Sequence, residues 1–420
     1  MLSSDSPPFA FRCHRPGIIA ALSVLVIHAA LAFLRHSEAL IWDEGRYLQY
    51  AKRLVQGFYV PAGNPDFING PGYPILLMPF IADGSTLLMA RLLNAFFMAG
   101  AVWFVWLTMR RYATPRWAAA GAWITGLHPT LVWMSFAIMT EPLSMFCLTG
   151  FMWAFTHALR GERGWHWIAS AAGFLGWLTL TRVIFGHVMM ASLVMCSALL
   201  LIREWRPQLK RALLVLAGGF MLCVPWLVHT WQKTGQILCW STTSGELLYW
   251  MCSHREGENG HWFNYKDAMT LPALAPHHGD FFEETLKLPV PEREAAFKAA
   301  AMTSLKANPK QFAYNWACNL SRLAFGFPRS HLPEELRSVV LIAINGPIIA
   351  AATLLGLLGL WRWRSLPVEI WLLMGFSAIY LGGSSLAPAL PRYFVIVLPI
   401  LLLGVAAVWS RHVRISLAEK

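Results

Sequence analysis

Asp43 and Glu44 stand side by side a few residues after the apolar run Gly17 to Leu34, and Tyr47 follows one helical turn later. An acidic pair at that place has two readings. Asp43 can cap a short helix, with Glu44 favourable beside the positive end of the helix dipole. Ionisable groups at membrane depth are also costly and tend to face protein cavities, which makes the same pair a candidate site. Three further positions share this double character. Glu141, in Thr140-Glu141-Pro142, suits the first turn of a helix or lines a cavity with Asp43. Arg182 sits between two apolar runs with hardly any loop around it, and Arg392 opens the last apolar run in Pro391-Arg392-Tyr393. Each arginine is either a snorkelling anchor or a phosphate ligand, because a guanidinium stays charged and offers a planar fork of donors.

The elements that must position these groups are membrane spans. With 420 residues, 56% hydrophobic, 13% charged, 21 Trp and a mean hydropathy of +0.48, the composition is that of an all-α polytopic membrane protein. Ten apolar runs approach the roughly 20 residues a span requires, at residues 17–35, 86–108, 117–136, 142–158, 165–181, 184–202, 212–229, 338–360, 367–385 and 393–409. The first lacks a small-residue cleavage site behind its apolar core and reads as an uncleaved span. The net charge of +12 follows this topology. With the N-terminus inside, basic residues gather on the cytoplasmic side, at Arg12 and Arg15 and in the loops after spans two, four, six, eight and ten: Arg110, Arg111 and Arg116; Arg160 and Arg163; Arg203, Arg206, Lys210 and Arg211; Arg362 and Arg364; Arg411, Arg414 and Lys420. Only Asp5, Glu162, Glu204, Glu369 and Glu419 oppose them. This is the positive-inside pattern, and it excludes nucleic acid as a partner. It also places Asp43, Glu141, Arg182 and Arg392 together on the outer side.

After Asp43, Tyr47, Tyr50, Leu54 and Phe58 recur at helical spacing, predicting a short helix lying flat at the interface with its apolar side inward. A Pro/Gly/Asn-rich loop from Pro61 to Pro74 follows, and Ile75 to Ala82 is expected to dip into the bundle without crossing before the Asp83-Gly84-Ser85 break. Arg91 and Asn94 in the second span need a partner or a cavity. The one long hydrophilic segment, residues 230–337, carries 11 acidic and 11 basic residues. It predicts a compact cap with turn-rich blocks at Leu271 to Gly279 and Leu288 to Pro291. Glu292 to Ala307 reads as a solvated helix with Ala295, Ala299, Met302 and Leu305 on one face. Trp240, Tyr249, Trp250, Trp262 and Phe263 are expected mainly as interfacial anchors, with aromatic surface for sugar rings as the alternative. Cys239, Cys252 and Cys318 fall outside, so at most one disulfide forms, such as Cys239 with Cys252. The organisation is a transmembrane catalytic module at 1–229 with its first outer loop at 36–74, a cap at 230–337 and C-terminal transmembrane helices at 338–420. No Walker A, G-x-G-x-x-G, H-E-x-x-H or zinc-type Cys/His spacing appears.

The motif order resembles that of the GT-C membrane glycosyltransferases. It runs W-D-E-x-x-Y at Trp42 to Tyr47, N-G-P-x-Y-P at Asn69 to Pro74, T-E-P at Thr140, V-P-W-x-x-H at Val224 to His229 and P-R-Y-x-x-x-x-x-P at Pro391 to Pro399. The likeness is strongest to the branch of protein O-mannosyltransferases and the lipid A aminoarabinose transferase, and it spans nearly the whole chain. It implies a GT-C-like bundle of about ten transmembrane helices with a small extracytoplasmic cap. It further implies an inverting enzyme that moves a sugar from a polyprenyl-phosphate-linked donor to an extracytoplasmic acceptor hydroxyl on a glycan, lipid or protein. Asp43 matches the catalytic aspartate. Glu44, Tyr47, Glu141, Arg392 and Tyr393 match further positions of the family's site, and with Asn69 and Arg182 they make up the candidate substrate-binding set. The chain departs from the branch at Asn69-Gly70-Pro71, where an acidic residue and a phosphate-binding lysine are usual, and at His229, where an arginine is usual.

Under this resemblance Asp43 takes the acceptor proton, and the departing lipid phosphate, needing no proton, leaves against Arg182 and Arg392. Tyr47 orients the carboxylate or donates to an oxygen of the donor, and Glu141 positions the acceptor or holds a divalent cation. No metal ligand set and no firm cofactor is implied. The setting implied is a bacterial inner membrane with the site facing the periplasm or exterior. A non-catalytic lipid-linked sugar flippase or small-solute transporter is the rival class, but its charges belong near the midplane. A polymerase or ligase using a diphosphate-linked glycan is a third possibility.

Overall fold

The computed structural model describes residues 11–37, 39–61, 63–82, 87–162, 164–331 and 333–412. The Asp83-Gly84-Ser85 break lies outside the described residues, as do Asp5, Arg163, Arg414, Glu419 and Lys420. Helices form at all ten expected spans. They are α1 (Phe11–Leu34), then α2 (Glu44–Val55) and α3 (Gly72–Ala82) before the second span α4 (Leu87–Met109), then α5 (Pro115–Leu127), α6 (Pro129–Ser135), α7 (Thr140–Arg160), α8 (His166–Thr181), α9 (Ile184–Leu199) and α10 (Arg206–Thr234). The cap contributes α11 (Ser244–Met251), α12 (Tyr265–Thr270), α13 (Ala275–Thr285), α14 (Val290–Ala307) and α15 (Pro309–Phe325), and the chain returns through α16 (Leu336–Trp361), α17 (Val368–Ser385) and α18 (Pro391–His412). Among the described residues there is no strand.

Six of these helices, α1, α4, α10, α16, α17 and α18, are long and apolar enough to cross a membrane on that basis alone, and the chain is an integral membrane protein. The others differ for physical reasons. The expected third span is broken by Pro129 into α5 and α6, with the His128 ring accepting from the Thr130 N–H at 3.3 Å across the break. α7 carries Glu141, Ser144, Thr149 and Thr156, yet 17 of its 21 residues are buried by other helices. It therefore needs no lipid-facing apolar surface.

α18 is the centre of the bundle. It packs on α4, α5, α6, α7, α15, α16 and α17, and every residue from Phe394 to Val408 is buried. At the end remote from Asp43, Glu369 accepts from Arg160 Nε at 2.8 Å and from the Tyr112 hydroxyl at 2.9 Å. Arg111 and His157 there pair with Glu162.

The cap has a core of its own, made by Trp250, Phe263, Ala268, Leu274, Phe282 and Phe297. Trp250 and Phe263 are thus neither interfacial anchors nor ligand surface. The block from Leu271 to Gly279 includes the start of α13, and the block from Leu288 the start of α14. In α14 the buried face is Val290, Glu294, Phe297 and Ala301, whereas Ala295, Ala299 and Met302 are exposed. Phe297 sets that register because its ring packs at 5.1 Å on Phe282 and 5.5 Å on Tyr249. The expected disulfide is not formed: Cys239, Cys252 and Cys318 are separate, buried thiols.

Candidate active site

α2 is the element that sets the site. Its buried positions are Glu44, Tyr47, Tyr50 and Ala51; of the face anticipated from the sequence, Tyr47 and Tyr50 are buried, Leu54 is half-buried, and Phe58 falls beyond the helix end and is exposed. Trp42, just before it, has φ of 50°, a left-handed conformation uncommon for a bulky residue. The two carboxylates after it diverge because successive positions at a helix start lie about 100° apart around the axis. Glu44 goes inward, where it is fully buried, and accepts at 2.9 Å from Arg91 Nε and Nη2, at 2.9 Å from the Ile41 N–H and at 2.8 Å from the Ile138 N–H. Burial pushes this carboxyl up, but the Arg91 hydrogen bond, the two backbone N–H groups and the Arg91 charge outweigh it and hold it below the usual carboxylate range. Glu44 does not line the cavity. It is the anchor that ties α2 to α4 and to the turn before α7, and it answers the need of Arg91 for a partner. Asn94 holds the same corner by donating to the Ala137 carbonyl at 2.5 Å and accepting from the Tyr73 hydroxyl at 2.9 Å.

Asp43 occupies the N-cap position of α2 but its side chain makes no capping hydrogen bond. It points into a chain of alternating charges instead. Arg46 Nη2 lies 3.1 Å from Asp43 Oδ1, and Arg392 Nη1 lies 3.2 Å from Asp43 Oδ2. Arg392 Nε is 3.6 Å from Glu141 Oε1, which Arg182 Nη2 meets at 2.5 Å. Three cations thus alternate with two anions. The ring of Tyr393 underlies both end arginines of α8 and α18, 5.2 Å from the Arg182 guanidinium and 5.6 Å from that of Arg392. Glu141 is fully buried in the first turn of α7, whose N-cap is Met139, so Thr140 does not cap it. Glu141 Oε2 and Arg392 Nε have no hydrogen-bond partner among the described residues.

Tyr47 is buried beside this chain, edge-on to Tyr73 at 5.5 Å. Its phenol is raised by burial first and then by the charges of Asp43 and Glu141, so it remains a protonated donor between two carboxylates. Asn69 accepts from Arg46 at 3.4 Å and lends its carbonyl to the Tyr59 hydroxyl at 2.8 Å. The loop carrying it lies backbone to backbone on the end of α8. A Cβ at Gly70 would stand 2.1 Å from the Leu180 carbonyl oxygen, and one at Gly72 2.7 Å from Thr181 Oγ1. Glycine is what lets this loop sit against the residues just before Arg182.

These groups form one end of a cavity of about 1000 Å³. Its lining joins Asp43, Arg46, Tyr47, Asn69, Arg182, Arg392 and Tyr393 to an apolar arm between α9 and α17, with Ile184, Val188, Ala191 and Ile379. On the cap side stand Glu246, His261, Trp262 and Lys298. Of the expected site residues, Glu44 alone is remote from the chain of charges and the cavity. Arg46 was missed; its signal was one helical turn from Asp43 on the same face. Among the described residues, no three His, Cys, Asp or Glu side chains are grouped to share a metal ion.

No family model and no curated protein matches the chain. Solved structures do. The archaeal oligosaccharyltransferase AglB from Archaeoglobus fulgidus, in complex with an inhibitory peptide and a dolichol-phosphate, aligns over 93% of this chain and 50% of its own, at 15% identity and a TM-score of 0.51. ArnT from Cupriavidus metallidurans aligns over 93% of this chain and 77% of its own. Bound to undecaprenyl phosphate it gives 17% identity and a TM-score of 0.40, and in the apo state 16% and 0.42. The chain spans half the length of AglB. The likeness to AglB shows the fold, a helical polytopic bundle of the GT-C kind.

Proposed function

We propose that this protein is an inverting glycosyltransferase that moves a sugar from a polyprenyl-phosphate-linked donor to an extracytoplasmic acceptor hydroxyl. The observation that carries the reading is the alternating chain Arg46, Asp43, Arg392, Glu141, Arg182, all of which but the buried Glu141 line one end of a cavity with an apolar arm. Its formal charge is one positive unit in excess, so it suits one more anion. The apolar arm between α9 and α17 suits a prenyl chain. AglB, of the same fold, holds a dolichol-phosphate, which supports a lipid phosphate as the anion.

The acceptor oxygen attacks the anomeric carbon from the face opposite the phosphate while its proton passes to an Asp43 oxygen. The bond between the anomeric carbon and the phosphate oxygen breaks, and its electron pair stays on that oxygen. The phosphate thereby gains one negative charge as it leaves. Guanidiniums fixed beside it strengthen their hold as that charge develops, which stabilises the transition state more than the bound donor. Arg392 and Arg182 supply this hold, with Tyr393 beneath them and Tyr47 as a neutral donor. Glu141 keeps the two arginines apart and aimed, and Asn69 steadies Arg46. We place the reaction on the periplasmic or exterior side of a bacterial inner membrane, with a catalytic membrane module at 1–229, the cap at 230–337 and closing helices at 338–420.

The test is transfer of radiolabelled sugar from a panel of polyprenyl phosphate sugars by the purified protein, with Asp43→Asn beside it. Transfer by the parent and its loss in a folded Asp43→Asn is the expected result. Equal behaviour of the two proteins refutes the assignment and favours a flippase or transporter.

A further inference from the structure

We propose that Trp262 and Glu246, both in the cap, form a sugar-ring subsite facing the chain of charges, an inference that rests on the transferase reading. The cap buries its large aromatics with economy: Trp250, Phe263, Phe282 and Phe297 make its core, and Trp240 is buried against Gly186 and Phe220 of the bundle. Trp262 breaks this pattern. It is 41% exposed although it is one residue from the core residue Phe263, and it lines the cavity that holds Asp43.

Its orientation is fixed. The indole N–H donates to Glu246 Oε1 at 3.0 Å, and Glu246 itself is held by the seat of α11. There Glu294 Oε2 accepts from the Gly245 N–H at 2.7 Å, and a Cβ at Gly245 would meet the Glu294 carbonyl oxygen at 2.5 Å, so α11 and α14 touch through backbone at this point. A ring held at its edge in this way offers a preorganised flat surface to the cavity.

The chemistry of that surface matches a pyranose. One face of the sugar presents C–H groups of slight positive charge, and the face of an indole is negative. Glu246 also lines the cavity, so its carboxylate can accept from ring hydroxyls while the indole covers the apolar face. Lys298 and His261 complete this wall. A lipid phosphate finds its partners elsewhere in the lining, in Arg182, Arg392 and the apolar arm. The cavity therefore divides into a part that holds the carrier and a part that reads the sugar.

The sugar ring can belong to the donor or to a glycosylated acceptor, and the experiment separates them. Binding is measured in lipid nanodiscs for undecaprenyl phosphate and for the undecaprenyl phosphate sugar that the parent uses best, in an Asp43→Asn background that blocks turnover. Transfer is measured with Asp43 intact, using octyl glucoside and octanol as acceptors. In each setting Trp262→Ala, Trp262→Phe and Glu246→Gln are compared with the parent. For a donor ring, Trp262→Ala weakens the sugar-bearing lipid roughly five- to tenfold, Trp262→Phe recovers part of the loss, and binding of the bare carrier is unchanged, which also reports correct folding. For an acceptor ring, the donor affinities stay equal and the KM for octyl glucoside rises while that for octanol does not. Unchanged values in all four measurements overturn the subsite and leave the transferase reading intact. Equal losses for bare carrier and donor also overturn it, because they make Trp262 a structural residue. A parent that binds neither lipid refutes the transferase reading itself, and the subsite with it.

Discussion

Replacing Glu44 by glutamine removes one charge from the most completely buried ion pair among the described residues, with Glu44 at 0% and Arg91 at 2% exposure. Both carboxylate oxygens are saturated, each accepting one hydrogen bond from Arg91 and one from a backbone N–H. The glutamine amide must turn its NH₂ toward one of these donor pairs. Arg91 then keeps the carbonyls of Ser37 at 2.6 Å and Ala39 at 3.4 Å and the His36 ring at 3.3 Å, but the carboxylate that balanced its buried charge is gone. Breaking a buried pair by removing one partner costs about 3–5 kcal/mol, mostly the penalty of the charge left behind. Glu44→Gln is therefore expected to unfold at a clearly lower temperature in detergent, and Glu44→Leu with Arg91→Met to recover much of the loss. The sign of the pH dependence follows from the depressed carboxyl. The pair stabilises fully above the ordinary carboxylate pKa and is lost as pH falls through the lower folded value, so stability from this pair is flat above about pH 5. A Glu44→Gln protein that melts with the parent yet loses transfer would refute the anchoring role and place Glu44 in the chemistry.

Arg392→Met removes the one cation that touches both carboxylates, and should lower kcat by roughly 10²–10³ in single-turnover transfer; a change confined to KM would count against transition-state stabilisation. Gly70→Ala drives a methyl group toward the Leu180 carbonyl oxygen, and is expected to lower both activity and thermal stability, while an exposed control such as Gly63→Ala, with open space around its Cβ, leaves them nearly unchanged. His261, in the cavity wall, is pushed down to about 4 by burial and by the charges of Arg322 and Arg329. A neutral folded histidine with an ordinary unfolded value destabilises as pH falls from about 6.5 to about 4, and His261→Gln should flatten a thermal stability profile across that window.

Much of the scaffold was legible because lipid imposes simple rules. The ten apolar runs and the charge asymmetry of the loops located the spans, and Tyr47, Tyr50 and their spacing gave the inward face of α2. Long-range pairing was not legible. Nothing local to Asp43 shows that its side chain makes no capping bond and meets Arg392 instead, 349 residues away along the chain. Glu44 has the same local setting as Asp43, and the two carboxylates find different partners because α4 brings Arg91 to one and α18 brings Arg392 to the other. In the cap, small residues such as Ala295 and Ala299 suggested a packed face, but Phe297 outweighed them, since one aromatic ring buries far more apolar surface than two methyl groups.

The central place of α18 has a consequence for how the protein is made. Polypeptides leave the ribosome N-terminus first, so every other described helix is synthesised before the one that fills the middle of the bundle. The earlier helices must hold open a slot in the bilayer, or rearrange around the newcomer. Arg392 arrives with that helix, and until it does Asp43 lacks one of its two arginine partners and Glu141 has Arg182 alone. A nascent chain can thus be threaded and capped while the alternating chain of charges still lacks Arg392, which joins it only when α18 inserts.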